Sequence, residues 1–192
     1  STGATTITTA GNESTLSLVS TDADASLGPV LDLHRNSASP ADDDAIGRLV
    51  FSGENDASEK IDLVKLIGLN SDVTDGTEDG RLQLYIHKDG SSINRMDFQP
   101  TETTFNDDSA DVDLRVESNG NTHALFVNAG GETVHFFTTD GNPGNNASGV
   151  GAIINNEGKF LNAVQASECA VFNRMGSDGD VVLIRQAGTT EG

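Results

Sequence analysis

The sequence predicts an all-β protein, and two patterns carry that prediction. Short stretches of alternating apolar and polar residues recur through residues 111–192, and turns that contain glycine separate them. Val112, Leu114 and Val116, for example, alternate with charged residues and are followed by Asn119-Gly120. A strand through such a stretch places its apolar side chains on one face and its charges on the other. The second pattern is the near absence of a long amphipathic stripe at helical spacing.

The N-terminal half is less regular, but it also indicates strands. Each candidate stretch is bounded by Gly, Asn, Asp, Ser or Pro. The predicted strands are Thr5 to Thr9, Thr15 to Val19, Val30 to His34, Arg48 to Ser52, Lys60 to Leu69, Arg81 to His87 and Ser92 to Phe98. Seven strands are typical of a sandwich or a barrel, and we expect a β-sandwich-like domain. The alternation changes phase within Lys60 to Leu69, which predicts either a β-bulge or burial of both faces.

Composition shifts divide the chain into three predicted segments. A polar stretch from Gln99 to Asp108 precedes the regular repeat, and a stretch rich in Asn, Gly and Ser from Gly141 to Gly151 follows it. We therefore expect an N-terminal β domain over residues 1–104, a β-repeat stalk over 105–141 and a C-terminal β block over 142–192.

The chain is acidic and poor in apolar residues. Its 11 Lys and Arg residues against 30 Asp and Glu residues give a formal net charge of −19. Nucleic acid is therefore not an expected partner, because phosphate binding needs clustered cations. No apolar run approaches membrane-spanning length, so membrane insertion is not expected either. Hydrophobic residues make up 35% of the chain, a small share for a self-sufficient core, which favours completion of the core by further copies of the chain.

Several strings resemble modules of bacteriophage tail fibres and related virion proteins. They are the stretch from Asp22 to Asp42, the loop from Thr74 to Gly80, the stretch from Leu114 to Val127, and the stretch from Asn173 to Gly192, which is similar to the region just before a C-terminal intramolecular chaperone. The serine-containing cleavage segment of that chaperone is missing, so no self-cleaving activity is carried over. The resemblance implies an intertwined parallel homotrimer with other virion proteins as partners.

Self-association is expected through the repeat. The apolar face of the predicted strand at Leu114 has too few large residues nearby to cover it within one chain, and exposed apolar strand faces pair with something. The same holds farther along the chain. We therefore predict an intersubunit core that contains Leu114, Leu125 and Val182, and the number of three chains rests on the resemblance.

Other side chains invite chemical interpretations. Asp72, Asp75, Glu78 and Asp79 crowd one loop and form a calcium candidate, although EF-hand spacing is not met and solvated acidic turns are the simpler interpretation. The four histidines lack metal-pair spacing, and we expect them to be outward-facing polar residues on strands. Stacking of His123 or His135 between subunits is an alternative. Cys169 precedes an apolar stretch, which predicts a buried thiol.

No catalytic fingerprint is present, and we expect neither an enzyme nor a bound cofactor. The sequence and the resemblance together predict a structural fibre component, a shaft or connector on an extracellular virion that supports attachment to a host receptor. The alternative is a carbohydrate-binding or adhesin module of a surface or secreted protein, with the N-terminal domain as the binding unit. Carbohydrate and protein contacts are commonly anchored by Trp, Tyr and Arg. The chain has no Trp and one Tyr, which favours the structural interpretation.

Overall fold

The computed structural model describes residues 3–145, 149–173, 175, 180–182, 184–186 and 189–191. The chain divides into two compact units, one of residues 1–92 with 97–103 and one of residues 93–96 with 104–192. Regular structure in the described residues consists of β-strands and one short 3₁₀ helix, Pro143–Asn145. The all-β prediction is confirmed. No described helix has the length and apolar character needed to cross a membrane.

The first sheet is antiparallel wherever its pairing register is described, with five strands in the order β1-β2-β3-β4-β5. The strands are β1 Ala45–Glu54, β2 Lys60–Asp72, β3 Asp79–Lys88, β4 Ser91–Phe98 and β5 Thr103–Phe105. The β3–β4 hairpin turns at Asp89 and Gly90, whose φ angles are +49° and +80°. Positive φ at both turn residues is the geometry that an Asp-Gly pair favours in a hairpin.

The phase change predicted in β2 is a β-bulge at Leu63. Phe51 lies opposite Val64 while Ser52 lies opposite Asp62, so Leu63 has no partner on β1. The extra residue moves the apolar side chains that follow it onto one face of the sheet. Beyond it, apolar residues of the three strands lie side by side in two rows, Leu49–Leu66–Leu84 and Phe51–Val64–Ile86. We call these six residues, together with Leu82, the first apolar face.

The second sheet has the order β10-β9-β8-β7-β6, and every described pair in it is antiparallel. Its strands are β6 Leu114–Ser118, β7 Asn121–Asn128, β8 Thr133–Phe136, β9 Gly151–Ile154 and β10 Phe160–Ala163. The repeat is therefore an antiparallel meander, and the sheet continues past the predicted boundary at Gly141. A further two-stranded antiparallel sheet pairs β11 Ile184–Gln186 with β12 Thr189–Glu191.

Residues 3–44 contain no strand or helix, contrary to the three strands predicted there. Most of their large apolar side chains are exposed, although Leu33 packs beside β1. The strand prediction was wrong because alternation without a paired neighbour leaves the backbone hydrogen bonds of a strand unmade. A sandwich also needs a facing second sheet, and the described part of the first unit holds a single sheet.

Candidate functional site

The most prominent feature of the second sheet is a row of five apolar residues that crosses all five strands. Leu114 lies opposite Val127, Val127 opposite Val134, Val134 opposite Ile154, and Ile154 opposite Phe160. Val116 and Leu125 pair one step along on the same face. We call these seven residues the second apolar face. It contains no charged residue.

The second apolar face is incompletely covered within one chain. Val116 is 47% exposed and Phe160 is 65% exposed, and Ile154 is also exposed. On the opposite face of the same sheet, Ile153 and His135 are each 1% exposed. Ile153 and His135 are therefore covered on one face of the sheet, whereas three of the seven residues of the second apolar face are exposed and the other four are half-buried. Burial of apolar surface is the main favourable term in folding, so an isolated chain loses part of that stabilisation by leaving apolar side chains of this face exposed.

The predicted trimer-core residues fall in two places. Leu114 and Leu125 lie on adjacent strands of the second apolar face, as the alternation predicts. Val182 belongs to none of the five strands of that sheet and is 55% exposed. The structure therefore brings two of the three residues together.

The predicted calcium loop uses its carboxylates to hold turns. Asp72 Oδ1 accepts a hydrogen bond of 2.7 Å from the Thr74 backbone N–H, and the hydrogen bonds from Thr74 lower the pKa of Asp72. Glu78 Oε2 accepts from the Gly76 backbone N–H at 3.2 Å. Asp72 and Asp79 lie opposite each other where β2 and β3 join the loop, and Asp75 lies between these strands. Within the described residues, no three His, Cys, Asp or Glu side chains are grouped to hold a metal ion.

Two further sequence predictions fail at single residues. His135 is a buried side chain, where an outward-facing one was expected. Its Nε2 lies 2.7 Å from Thr133 Oγ1, and burial and the charge of His123 lower its pKa, while Asp113 and Asp140 act in the opposite direction. Cys169 is exposed, because its segment lies outside the strands.

His123 and His135 meet through a shared aromatic neighbour. The His123 ring contacts Phe126 edge-on, with centroids 5.2 Å apart, and His135 lies 5.3 Å from the same ring. Such ring pairs contribute about 0.5–1.5 kcal/mol beyond their area burial. Within the chain, the two histidines therefore stabilise the second sheet around Phe126.

A cavity of about 570 Å³ lies above the β6–β7 pair and is lined by Asp113, Arg115, Glu117, His123 and Phe126. We call it the charged groove. Arg115 Nη2 lies 2.7 Å from Glu117 Oε1, and the Asp113 carboxylate accepts from the Ala129 backbone N–H at 2.9 Å. An irregularity in the β6–β7 register between Val116 and Ser118 offsets the pairing. Such irregularities often re-aim side chains near binding sites.

The first sheet carries a buried polar network on the face opposite its apolar face. Asp97 is 0% exposed and accepts from Arg81 Nε at 2.8 Å, from Arg81 Nη2 and from Gln83 Nε2 at 2.9 Å. Tyr85 donates to Gln83 Oε1 at 3.2 Å, and Lys65 Nζ lies 5.0 Å from the centre of the Tyr85 ring. Because the polar groups of this network interact with one another, the network stabilises the strand pairing, and we do not propose it as a reactive site.

Comparison with known proteins returned no match: no family model, no curated protein and no solved structure is similar to this chain.

Proposed function

We propose that the chain is a structural, self-associating component of a bacteriophage tail fibre, acting as shaft or connector and supporting host attachment. The observation that carries the proposal is the second apolar face, an uncharged surface across five strands on which Val116, Ile154 and Phe160 are exposed. A second copy is the natural partner for such a face, because every copy of the chain carries the same face and can contribute it to the contact.

Three features of the proposal rest on the resemblance of the sequence to phage fibres. They are the number of three chains, their parallel and intertwined arrangement, and the location on an extracellular virion beside other virion proteins. In such an assembly the first apolar face would obtain its facing layer from other copies, which is how a sandwich-like N-terminal domain would arise. The proposal includes no catalytic step and no cofactor.

Negative-stain electron microscopy of the purified full chain tests the fibre role. Elongated particles of constant width are expected. Leu125→Asp should abolish them, because it puts a charge into the buried contact, whereas Thr122→Asp on an exposed position of the same strand should leave them unchanged. Globular particles of the wild-type chain would contradict the fibre role.

The charged groove favours one second candidate function, a carbohydrate-binding module. An aromatic ring beside carboxylates, a guanidinium and an imidazole offers an apolar plate and hydrogen-bonding groups for a polyhydroxylated ligand. This groove lies in the second unit, whereas the sequence placed the binding unit in the N-terminal domain. Glycan-array binding by the full chain, lost in Phe126→Ala, would support this candidate, and binding that survives Phe126→Ala would reject the groove.

A further inference from the structure

The N-terminal segment 3–34, which we call the arm, is anchored at its C-terminal end only. A Cβ at Gly47 would lie 2.9 Å from the Leu33 Cβ, so glycine at this position gives Leu33 room against β1. Arg35 Nη1 lies 2.9 Å from Asp44 Oδ1 and donates to the Ala45 carbonyl at 3.1 Å. Leu33 also lines a cavity of about 280 Å³ together with Leu49, Leu66 and Leu82 of the first apolar face.

Upstream of this anchor, the arm has strand-like residues that cover nothing in its own chain. Leu16 and Leu18 are 59% and 49% exposed. They alternate with Thr15 and Ser17, which is the period of a strand with an apolar face. The stretch Ser14 to Ser20 is therefore suited to pair with a sheet edge.

A matching edge exists on β1. This strand of 10 residues is the last one in its sheet, and an edge strand presents free backbone groups that pair readily with another strand. It holds neither Pro nor Lys, although Arg48 and a bulge at Ile46 protect part of the edge. Phe51 on this strand is 59% exposed, so an added strand would also cover apolar surface. At about 3.3 Å per residue, Ser14 to Ser20 measures roughly 23 Å and fits within the roughly 33 Å of β1.

In the structure, the stretch Ser14 to Ser20 forms no strand and does not pair with β1 of its own chain. Twelve residues lie between Ser20 and Leu33, which allows a reach of roughly 45 Å, enough to arrive at a neighbouring molecule.

We propose that the stretch Ser14 to Ser20 of one copy adds as a strand to the free edge of β1 in a second copy. Strand addition of this kind supplies main-chain hydrogen bonds together with side-chain contacts. The inference rests on the proposed self-association and names the segment and the edge that perform it.

Cross-linking between two differently tagged full-length chains tests the exchange. Both carry Cys169→Ser, one carries Leu18→Cys, and the other carries Leu49→Cys on β1. After the two are refolded together and treated with a short bismaleimide, a product of twice the 20.0 kDa chain mass that contains both tags is expected. The matched control replaces Leu49→Cys with Thr103→Cys on β5, at the other edge of the same sheet, and at least a tenfold lower yield is expected.

The possible results distinguish strand exchange through the arm from self-association in general. Equal yields at the two edges, or a cross-link that forms only within a doubly substituted single chain, would overturn the exchange. A multimer by light scattering without the mixed-tag product would overturn the exchange and leave self-association standing, whereas a monomer would overturn both. Should a cysteine variant fail to fold, hydrogen exchange of the backbone amides decides. The outward amides of β1 should lose at least tenfold protection in Ser17→Pro and keep their protection in Ser26→Pro. Unchanged protection in Ser17→Pro would overturn the proposal.

Discussion

Arg81 and the buried Asp97 form a two-pronged ion pair between β3 and β4, with Nε and Nη2 of the guanidinium both directed at the carboxylate. Gln83 donates to the same carboxylate. An acidic chain thus uses one of its few arginines to hold a carboxylate that has no access to water.

Asp97→Ala tests the importance of this pair for stability. The substitution leaves Arg81 and Gln83 without their shared acceptor, and removal of one partner from a buried pair costs about 3–5 kcal/mol. Urea unfolding of the full chain should show a loss of that order. Lys88→Ala removes the exposed ion pair with Asp89 without changing the turn and serves as the control, with little change expected. Equal effects of the two substitutions would show that the Asp97 network does not hold the sheet.

Acidification should destabilise the second sheet through His135. Burial and His123 hold the pKa of His135 below its ordinary value of about 6.5, so the unfolded chain binds a proton more readily than the folded one. The stabilisation is thus complete above about pH 6.5 and is lost as the pH falls towards the lower folded pKa.

Melting temperatures from pH 7.5 to pH 5 measure this dependence. The wild type should lose more over that range than His135→Gln, while His34→Gln, which changes an exposed histidine, should follow the wild type. If His135→Gln and the wild type have the same pH dependence, the buried imidazole does not control acid stability.

Calcium should have little effect on the fold. The carboxylates of Asp72 and Glu78 already accept backbone hydrogen bonds in their loop. Melting curves recorded with a chelator and with millimolar calcium should nearly coincide. A large upward shift with calcium would reveal a site, because a ligand that binds only the folded state must stabilise it.

Cys169→Ser should leave both the melting temperature and the particle mass unchanged, because the thiol is exposed. Calorimetry and light scattering of the variant measure the two quantities. Loss of assembly with a retained fold would assign the thiol to a contact between subunits.

Local alternation and turn chemistry made part of the fold predictable. Leu82, Leu84 and Ile86 alternate with polar residues in the sequence and share a face of β3, and the Asp89-Gly90 pair makes the turn that such a pair favours. The charged groove was not predictable. A two-residue turn at Asn119-Gly120 would place Arg115 opposite Ala124, but the register irregularity places it opposite Phe126. The sequence carries no local signal for that offset. The alternation in the arm likewise does not indicate that its predicted strands lack a partner within the chain.

Light scattering of the full-length chain at micromolar concentration tests self-association most directly. We predict a particle of about three times the 20.0 kDa chain mass. Leu125→Asp should reduce this mass or unfold the chain, and Thr122→Asp should not, since only Leu125 lies on the second apolar face. A stable, well-folded monomer for the wild-type chain would contradict the proposal that the exposed sheet faces are covered by further copies.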